Sequence, residues 1–326
     1  MNAGRSGPCD APHPLASVLL LTFNGGQRLG VVLEALARQE APFPHEVVAV
    51  DSGSTDGTRE RLQQAGARVI SIPRGEFNHG ATRNLGIEAC KGVFVVLLVQ
   101  DAEPEGRDWL ARLVDPLHED ATLAGTYDRQ VPPEGAGSVP RAYLARHAAA
   151  SAEPRVQQLA GRAAYEALTP WQRMEACTFD NVCSCVRRSV WARRPFARAP
   201  IAEDLEWARD VMLDGYRLAY VPEARVRHLH DRPASYELKR TYLVHQRLRR
   251  LFGLRTIPSA AHLAGAVLVS LASHARWVAA AAGSPWPRRL AELPRAIALA
   301  FALPFGQYLG ARSADSGRDL LRVRGV

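Results

Sequence analysis

Carboxylates that close short apolar runs are the first feature of this chain with chemical content. In EVVAVDSGSTDGT (Glu46–Thr58) the β-branched run Val47–Val50 stops at Asp51, and Ser52, Gly53 and Ser54 are turn formers ahead of a helical pattern opening at Thr58. Beyond the carboxyl end of a strand in a parallel sheet, Asp51, Ser52 and Asp56 would face a ligand site. Asp51 could hydrogen-bond a nucleotide's base or ribose, or merely end the strand; Asp56 could line the site or cap the next helix. The most apolar run, VFVVLLV (Val93–Val99), ends in Gln100 and Asp101. A carboxylate at the end of a buried central strand costs free energy unless charge or hydrogen bonds meet it. A divalent cation bridging to a diphosphate would do so; the plainer alternative is a helix cap ahead of Trp109.

Further along, Glu203, Asp204 and Glu206 place three acids at the start of a helix whose apolar stripe is Leu205, Ala208, Val211 and Met212. The helix dipole favours acids there, yet Glu203 and Asp204 precede the stripe and could face the same cleft as Asp101, where a carboxylate can act as a general base. His228 and His230, two apart on an expected strand, are candidate ligands. Arg83, in FNHGATRNLG, lies near a helix start whose free N–H groups suit a phosphate. Pairing with a carboxylate on a neighbouring loop is the other reading of Arg83.

These residues need a scaffold that delivers strand ends to one edge. Val18–Phe23 has the continuous apolar character of a strand covered on both faces. A helix over Arg28–Arg38 follows, with Leu29, Val32, Leu33 and Leu36 at helical spacing, then the Val47–Val50 strand, a helix to about Ala65 and a third strand at Arg68–Ile72. Strand, helix, strand, helix begins a parallel α/β fold, and right-handed crossovers put Asn24 and Asp51 on one edge. Beyond Val99 the pattern predicts helices at Asp108–Leu117, Arg187–Trp191 and Ser235–Leu251, and strands at Thr122–Tyr127, Thr178–Val186, Arg217–Val221 and Arg225–His230. Between Arg129 and Glu175 the periodicity weakens, as expected of an acceptor-specific insertion.

Composition narrows the class. With 326 residues, 47% of them hydrophobic, the chain can bury a sizeable core. Five irregularly spaced cysteines without a Cys-x-x-Cys pair argue against a disulfide framework or structural zinc and for a reducing cytosol; Cys183 and Cys185 are expected as buried free thiols. The formal charge of +8 is concentrated at the C-terminal end, where Glu237–Val326 holds 14 Lys and Arg against 4 Asp and Glu. That balance suits an anionic membrane surface, a nucleic acid or a solvated face; the absence of interleaved aromatics argues against nucleic acid. Leu15–Phe23 lacks the flanks of a signal peptide. Thr256–Ala275 and Ala296–Ala311 are uncharged but weak as membrane spans, the second too short for a hydrocarbon core about 30 Å thick and interrupted at Pro304. They read as interfacial helices flanked by arginines, or as ordinary packed helices. Asn24-Gly25-Gly26-Gln27 does not supply the Gly-x-Gly-x-x-Gly turn of a dinucleotide oxidoreductase.

Taken together and in order, TFN, VVAVDSGSTDGT, GATRN, QDA and AEDLEWARD resemble the inverting family-2 nucleotide-sugar glycosyltransferases with the GT-A fold, over roughly Ala16–Phe252. FNHGATRNLG with the QDA and His-x-His elements is similar to the bacterial rhamnosyltransferase branch. The resemblance implies a Rossmann-like α/β fold with a mixed, mainly parallel sheet flanked by helices and a C-terminal helical extension. It divides the chain into a flexible N-terminus (1–15), a catalytic domain (16–235; donor half about 16–127, acceptor half about 128–235) and a basic, helical, membrane-associating region (236–326). It implies nucleotide-sugar contacts from Thr22, Asn24, Asp51, Ser52, Asp56, Arg83, Gln100 and Asp101, an Mg²⁺ or Mn²⁺ ion on Asp101 and His228, and a catalytic pair Asp204 and Glu203 with Asp204 as base. The chain departs from the family's Asp-x-Asp motif, since Gln-Asp-Ala has one carboxylate where many members have two or three, which bears on metal dependence. The implied partners are a nucleotide-sugar donor, a lipid-linked or polysaccharide acceptor and an anionic membrane surface, with no nucleic acid. The implied location is cytoplasmic, peripheral on the inner face of the inner membrane. A non-catalytic nucleotide-sugar-binding or membrane-assembly module of the same fold is the competing reading.

Overall fold

A computed structural model describes residues 14–229, 232–280 and 286–323, without the side chain of residue 288. The expectations for residues 1–13 and for His230 lie outside the described residues. Four strands alternate with helices as the apolar runs require: β1 (Ala16–Thr22), α1 (Gly26–Ala37), β2 (His45–Asp51), α2 (Thr58–Gln64), β3 (Arg68–Ser71), α3 (His79–Ala89) and β4 (Phe94–Val99). Next come β5 (Glu103–Glu105), α4 (Trp109–Glu119) and β6 (Leu123–Val131). The segment of weak periodicity folds into short pieces, α5 (Ser138–Leu144), β7 (Arg155–Gln157), α6 (Arg162–Ala167) and α7 (Pro170–Ala176). Then follow β8 (Cys183–Arg187), α8 (Arg188–Arg193), α9 (Glu203–Leu213) and β9 (Arg217–Arg227), and the chain closes on helices α10 (Ala234–Phe252), α11 (Ala260–Ala279) and α12 (Trp286–Ser316).

One mixed sheet results, in the order β3-β2-β1-β4-β8-β6-β9-β5, with β7 also on β9. The first four strands are parallel; β8 runs antiparallel between β4 and β6, and β6 and β9 are parallel to each other. Alternate residues on the strands feed two cores. Leu19, Val48, Val50, Val95 and Leu97 pack on one face with Ile87, Trp207, Val211 and Phe252. Val18, Leu20, Ala49, Val96 and Leu98 pack on the other with Leu29, Val32, Trp109 and Leu113. Covering both faces is what continuous apolar strands demand. The registers Thr22↔Asp51, Leu21↔Val99, Leu98↔Cys183 and Tyr127↔Ser184 bring the ends of β1, β2, β4 and β6 and the entry to β8 to the same edge of the sheet.

Three expectations need correction. The predicted strand Thr178–Val186 is a loop as far as Val182: the Asp180 carboxylate accepts the Val182 N–H (2.9 Å), so a local turn replaces ladder bonds. Arg217–Val221 and Arg225–His230 are not two strands but parts of one, β9, because Asp128↔Val221 is followed directly by Arg129↔Arg225, so Pro222–Ala224 bulge outward without ending the pairing. Nor does Pro304 interrupt the last uncharged stretch, for α12 continues through Pro294 and Pro304. Its hold on α10 explains why: a Cβ on Gly310 would lie 2.3 Å from the Tyr242 carbonyl oxygen and one on Gly306 2.9 Å from that of Leu238, so the backbones touch. One turn on, Ser313 Oγ accepts from the Tyr242 hydroxyl (2.7 Å) and Gln246 Nε2 (2.8 Å).

This close approach generates a stability prediction. Gly310→Ala must separate α12 from α10 and should lower the unfolding free energy by about 1–3 kcal/mol, the usual cost of overpacking. Gly265→Ala, on α11 with nothing within 4 Å of the new methyl, should be neutral or stabilising by up to about 1 kcal/mol. Urea unfolding of the two variants checks both.

Candidate active site

At the β1–β2 end, the Asp51 carboxylate is wholly buried and fully used. Its Oδ2 accepts from Thr22 Oγ1 (2.9 Å) and Ser54 Oγ (2.5 Å), and its Oδ1 from the N–H groups of Gly53 (3.2 Å) and Ser54 (2.9 Å). Four donors disperse the charge and curl the loop, with Gly53 at φ 82° supplying the left-handed turn. Asn24, itself at φ 46°, stitches this loop to the one after β1: its N–H donates to Ser54 Oγ (2.8 Å) and its Oδ1 accepts from Thr55 N–H (2.9 Å). Gly57 holds the N-cap position of α2, and Asp56, one residue before it, does the capping: its Oδ1 accepts the first-turn Thr58 N–H (3.1 Å) and Thr58 Oγ1 (2.6 Å). Its Oδ2 accepts the Gly26 N–H (2.9 Å), and these bonds, that from the Thr58 hydroxyl first, hold it below the usual carboxylate range. Ser52 is also buried, and its hydroxyl has no hydrogen-bond partner among the described residues. Gln100 pairs with both polar groups of the Phe23 peptide, accepting from its N–H (2.9 Å) and donating to its carbonyl (3.0 Å). Sequence reasoning missed Arg74, whose guanidinium lies 3.9 Å over the Phe23 ring and forms a cation–π wall at this end.

Asp101 and His228 meet at the exit of β4. His228 Nε2 lies 3.7 Å from Asp101 Oδ1, and Arg232 and Arg28 approach Asp101 Oδ2 at 3.9 and 4.0 Å. The other ring nitrogen, Nδ1, is 2.8 Å from Gln130 Oε1, and Gln130 Nε2 donates to Asp180 Oδ2 (2.5 Å). Burial keeps the His228 ring below the usual imidazole value in spite of the Asp101 and Asp180 carboxylates, so it is neutral near pH 7. A neutral imidazole nitrogen facing a carboxylate oxygen suits a hard divalent cation whose remaining positions are filled by phosphate and water. No group of three or more His, Cys, Asp or Glu among the described residues is arranged to hold such an ion without outside ligands. A cation held by Asp101 and His228 would take its remaining ligands from outside the protein.

The acidic start of α9 completes the edge. Ala202 takes a left-handed conformation (φ 57°), unusual for a residue with a side chain, and the helix begins directly after it. Glu203 is buried and bound to Arg83 Nη1 (2.7 Å), with Asn181 Nδ2 at 3.2 Å. Arg83 also donates to the Asn181 carbonyl (3.2 Å). Burial opposes ionisation of Glu203, but Arg83 and then His79 outweigh it and hold the acid below its ordinary value. His79, half-buried beside Arg83, is depressed to about 4 by lost hydration first and then by the Arg83 charge. Asp204, half-buried, accepts from the N–H groups of Leu205 (2.8 Å) and Asn181 (3.2 Å). Burial, followed by the charges of Glu203 and Asp180, pushes it up to about 8. Two adjacent carboxyls are thus driven apart: one stays ionised in an ion pair, the other is basic enough to take a proton near neutral pH.

The residues expected from the sequence fall into two groups. Thr22, Asn24, Asp51 and Asp56 share the β1–β2 loops, with Ser52 beside them. Asp101 and His228 connect to Asp204 through Gln130, Asp180 and Asn181. Arg83 stands with Glu203 and not with the β1–β2 loops, which is the carboxylate-pairing alternative. Asp180, Asn181 and Gln130 were missed; the Asp-Asn dipeptide inside an otherwise strand-like run was the available signal.

The sequence profile of glycosyl transferase family 2 matches residues 17–191. The O-antigen chain rhamnosyltransferase WbaN of Salmonella anatum is 30% identical over 233 residues, covering 70% of each chain. RfbN of Salmonella typhimurium, also an O-antigen chain rhamnosyltransferase, is 30% identical over 230 residues, 69% of this chain and 70% of its own. Among solved structures, the mannosyltransferase PcManGT of Pyrobaculum calidifontis, in complex with GDP-Man and Mn²⁺, aligns over 97% of this chain and 92% of its own with a TM-score of 0.57 and 19% identity. Glucosyl-3-phosphoglycerate synthase of Mycobacterium tuberculosis, with Mn²⁺, UDP and product, aligns over 76% and 82% with a TM-score of 0.53 and 20% identity. At these identities the structures speak to the fold alone, which is the GT-A arrangement, and divalent metal is in use within that fold. The profile over more than half the chain, joined to relatives matched over more than two thirds of it, places this protein in glycosyl transferase family 2.

Proposed function

We propose that this protein is an inverting hexosyltransferase that moves a sugar, rhamnose from dTDP-rhamnose as the first candidate, from a nucleoside-diphosphate donor to a hydroxyl of a lipid-linked or polysaccharide acceptor. The observation that carries the reading is the acidic pair at the start of α9: Asp204, half-buried and held by the Asn181 and Leu205 N–H groups, lies beside a Glu203 bound to Arg83, and its proton affinity is raised to about 8, so that it is a strong base once deprotonated. The named activity of the two Salmonella relatives supports the choice of sugar.

In this reading the donor occupies residues of about 16–127 and the acceptor those of about 128–235. Thr22, Asn24, Asp51, Ser52 and Asp56 build the nucleotide wall, Asp51 from behind it, since its oxygens are taken by Thr22, Gly53 and Ser54. Gln100 shapes that wall through the Phe23 peptide, and Arg83 serves through Glu203. Asp101 and His228 would hold a Mg²⁺ or Mn²⁺ ion, which when bound supplies charge neutralisation for the departing diphosphate. Asp204 removes the acceptor hydroxyl's proton as that oxygen attacks the anomeric carbon. The bond from that carbon to the diphosphate breaks on the opposite face, and the nucleoside diphosphate leaves with the electron pair. Glu203 stays ionised and keeps Asp204 basic.

The C-terminal helices support peripheral attachment to the cytoplasmic face of the inner membrane. No described helix is long and apolar enough to cross a membrane. Yet α11 exposes Leu268 and Val269, and α12 exposes Leu290, Ile297, Phe301 and Phe305 along one side. Between them lies a groove of about 370 Å³ lined by Leu271, Ala275, Leu293 and Ile297. Arginines at 276, 289, 295 and 312 flank this surface and favour anionic lipid.

Three outcomes test the reading. Asp204→Asn should fold and bind dTDP-rhamnose as the wild type does but lose about 10²–10⁴-fold in kcat, measured by transfer of labelled rhamnose; near-normal transfer would remove Asp204 as base. The wild-type kcat/KM should rise with pH through an apparent pKa of about 8, because the proton held on Asp204 below that value blocks it as acceptor. Glu203, Asp180 and Arg83 are the charged groups around Asp204 that set this value. Co-sedimentation with phosphatidylglycerol vesicles should weaken about tenfold or more in Leu268→Asp/Phe301→Asp, both exposed positions, with transfer to a soluble acceptor unchanged.

A further inference from the structure

The family signals account for Asp101, Asp204 and His228 but leave unexplained a carboxylate lying between them. Asp180 is mostly buried, its side chain 14% exposed, at the tip of the loop ahead of β8. Its Oδ1 accepts the Val182 N–H (2.9 Å), and its Oδ2 accepts Gln130 Nε2 (2.5 Å), with His147 Nδ1 farther off at 3.7 Å. Gln130, 6% exposed on β6, presents its Oε1 to His228 Nδ1 at 2.8 Å.

The hydrogen bonds on the Nδ1 side of the ring favour one arrangement of these groups. An ionised carboxylate only accepts, so the face of the Gln130 amide toward Asp180 must be the NH₂. The face toward His228 is then the carbonyl, which also only accepts, so Nδ1 must carry the ring proton. A ring that gives an electron pair to a cation carries one proton only, so the pair lies on Nε2, the nitrogen 3.7 Å from Asp101. Reversing the amide, with the ring proton moved to Nε2, would keep a bond to Nδ1 but set the Gln130 carbonyl against the Asp180 carboxylate at 2.5 Å, in place of the hydrogen bond found there.

From this geometry we infer that Asp180 is a positioning residue which, through the Gln130 amide, fixes His228 in the tautomer whose Nε2 faces Asp101 as an electron-pair donor. It acts at a distance of two hydrogen bonds and touches neither donor sugar nor ion. The inference rests on the reading of Asp101 and His228 as cation ligands only for its purpose; the tautomer itself is a property of the metal-free protein. A carbonyl or carboxylate behind a ligating histidine commonly sets its ring this way, and removal of such a partner costs about 10–100-fold in metal affinity.

The test replaces one atom. In Asp180→Asn the amide oxygen can keep the Val182 N–H while its NH₂ faces Gln130. The Gln130 amide then turns over, presents its NH₂ to Nδ1 and moves the ring proton to Nε2. Long-range ¹H–¹⁵N correlation on ¹⁵N-histidine-labelled, metal-free protein reads this directly, the His228 signals being assigned by their loss in His228→Gln. Wild type should show a protonated Nδ1 and an unprotonated Nε2, and Asp180→Asn the reverse. Mn²⁺ affinity in the presence of dTDP, by calorimetry, should fall about 10–100-fold in the variant. Gln130→Glu added to Asp180→Asn exchanges charge and amide across the same hydrogen bond; it should restore both the tautomer and the affinity. An Nδ1-protonated ring in Asp180→Asn, an unchanged Mn²⁺ affinity, or an exchange variant without recovery overturns the inference. Wild type that binds no Mn²⁺ with dTDP would instead sink the cation-ligand reading, and the tautomer measurement would still decide the role of Asp180.

Discussion

The buried ion pair between Arg83 and Glu203 is the interaction on which the cleft edge depends. It joins residues 120 positions apart, on α3 and at the start of α9, at 2.7 Å and with both side chains almost wholly out of water. Two charges so placed have each given up hydration, and removal of one partner typically costs about 3–5 kcal/mol because the other is left uncompensated. The pair has a chemical consequence beyond cohesion. Because Arg83 is paired with Glu203, its pull on Asp204 is outweighed by burial and by the negative charges of Glu203 and Asp180. The same contact that binds α9 to the sheet therefore prepares the neighbouring acid to accept a proton.

The remaining parts of the cleft follow a common rule: a charged group is fixed by groups from a different loop, so that no loop is set by its own sequence alone. Asp51 draws in Thr22 across the β1–β2 register, Asp56 draws in Gly26, and Gln100 draws in the Phe23 peptide. Asp180 draws in Gln130, and Asn181 draws in Asp204. The edge is a lattice of cross-loop hydrogen bonds, which explains how loop residues can be held closely enough for chemistry.

How far this was legible in the sequence depended on whether the signal was local. The strands up to Val99 announced themselves as apolar runs ended by turn formers, and Asp51, Asp101 and the Glu203–Asp204 pair stood out because each follows or precedes such a boundary. GT-A topology followed from that alternation together with the motif order. Partners distant in sequence left no trace. Nothing around Arg83 says whether it meets a phosphate or a carboxylate, since Glu203 is more than a hundred residues away. Asp180 was absorbed into a strand by the Val and Cys residues after it, and only its bond to the Val182 N–H makes the turn. Pro304 was read as a break and β9 as two strands because a local pattern shows neither the helix contact nor the bulge that carry these elements through.

The antiparallel strand β8, wedged between β4 and β6, also bears on how the chain is made. During synthesis from the N-terminus, β4 can pair with β1 as soon as it emerges, since the two need only the intervening βα units. Its other edge must wait for Cys183–Arg187, roughly ninety residues later. At about 5–20 residues per second that is an interval of several seconds. For that time Phe94–Val99, the most apolar strand of the protein, presents an unpaired edge, the kind of surface on which nascent chains associate with one another. The strand whose end carries Asp101 is thus also one whose edge waits unpaired while the chain grows.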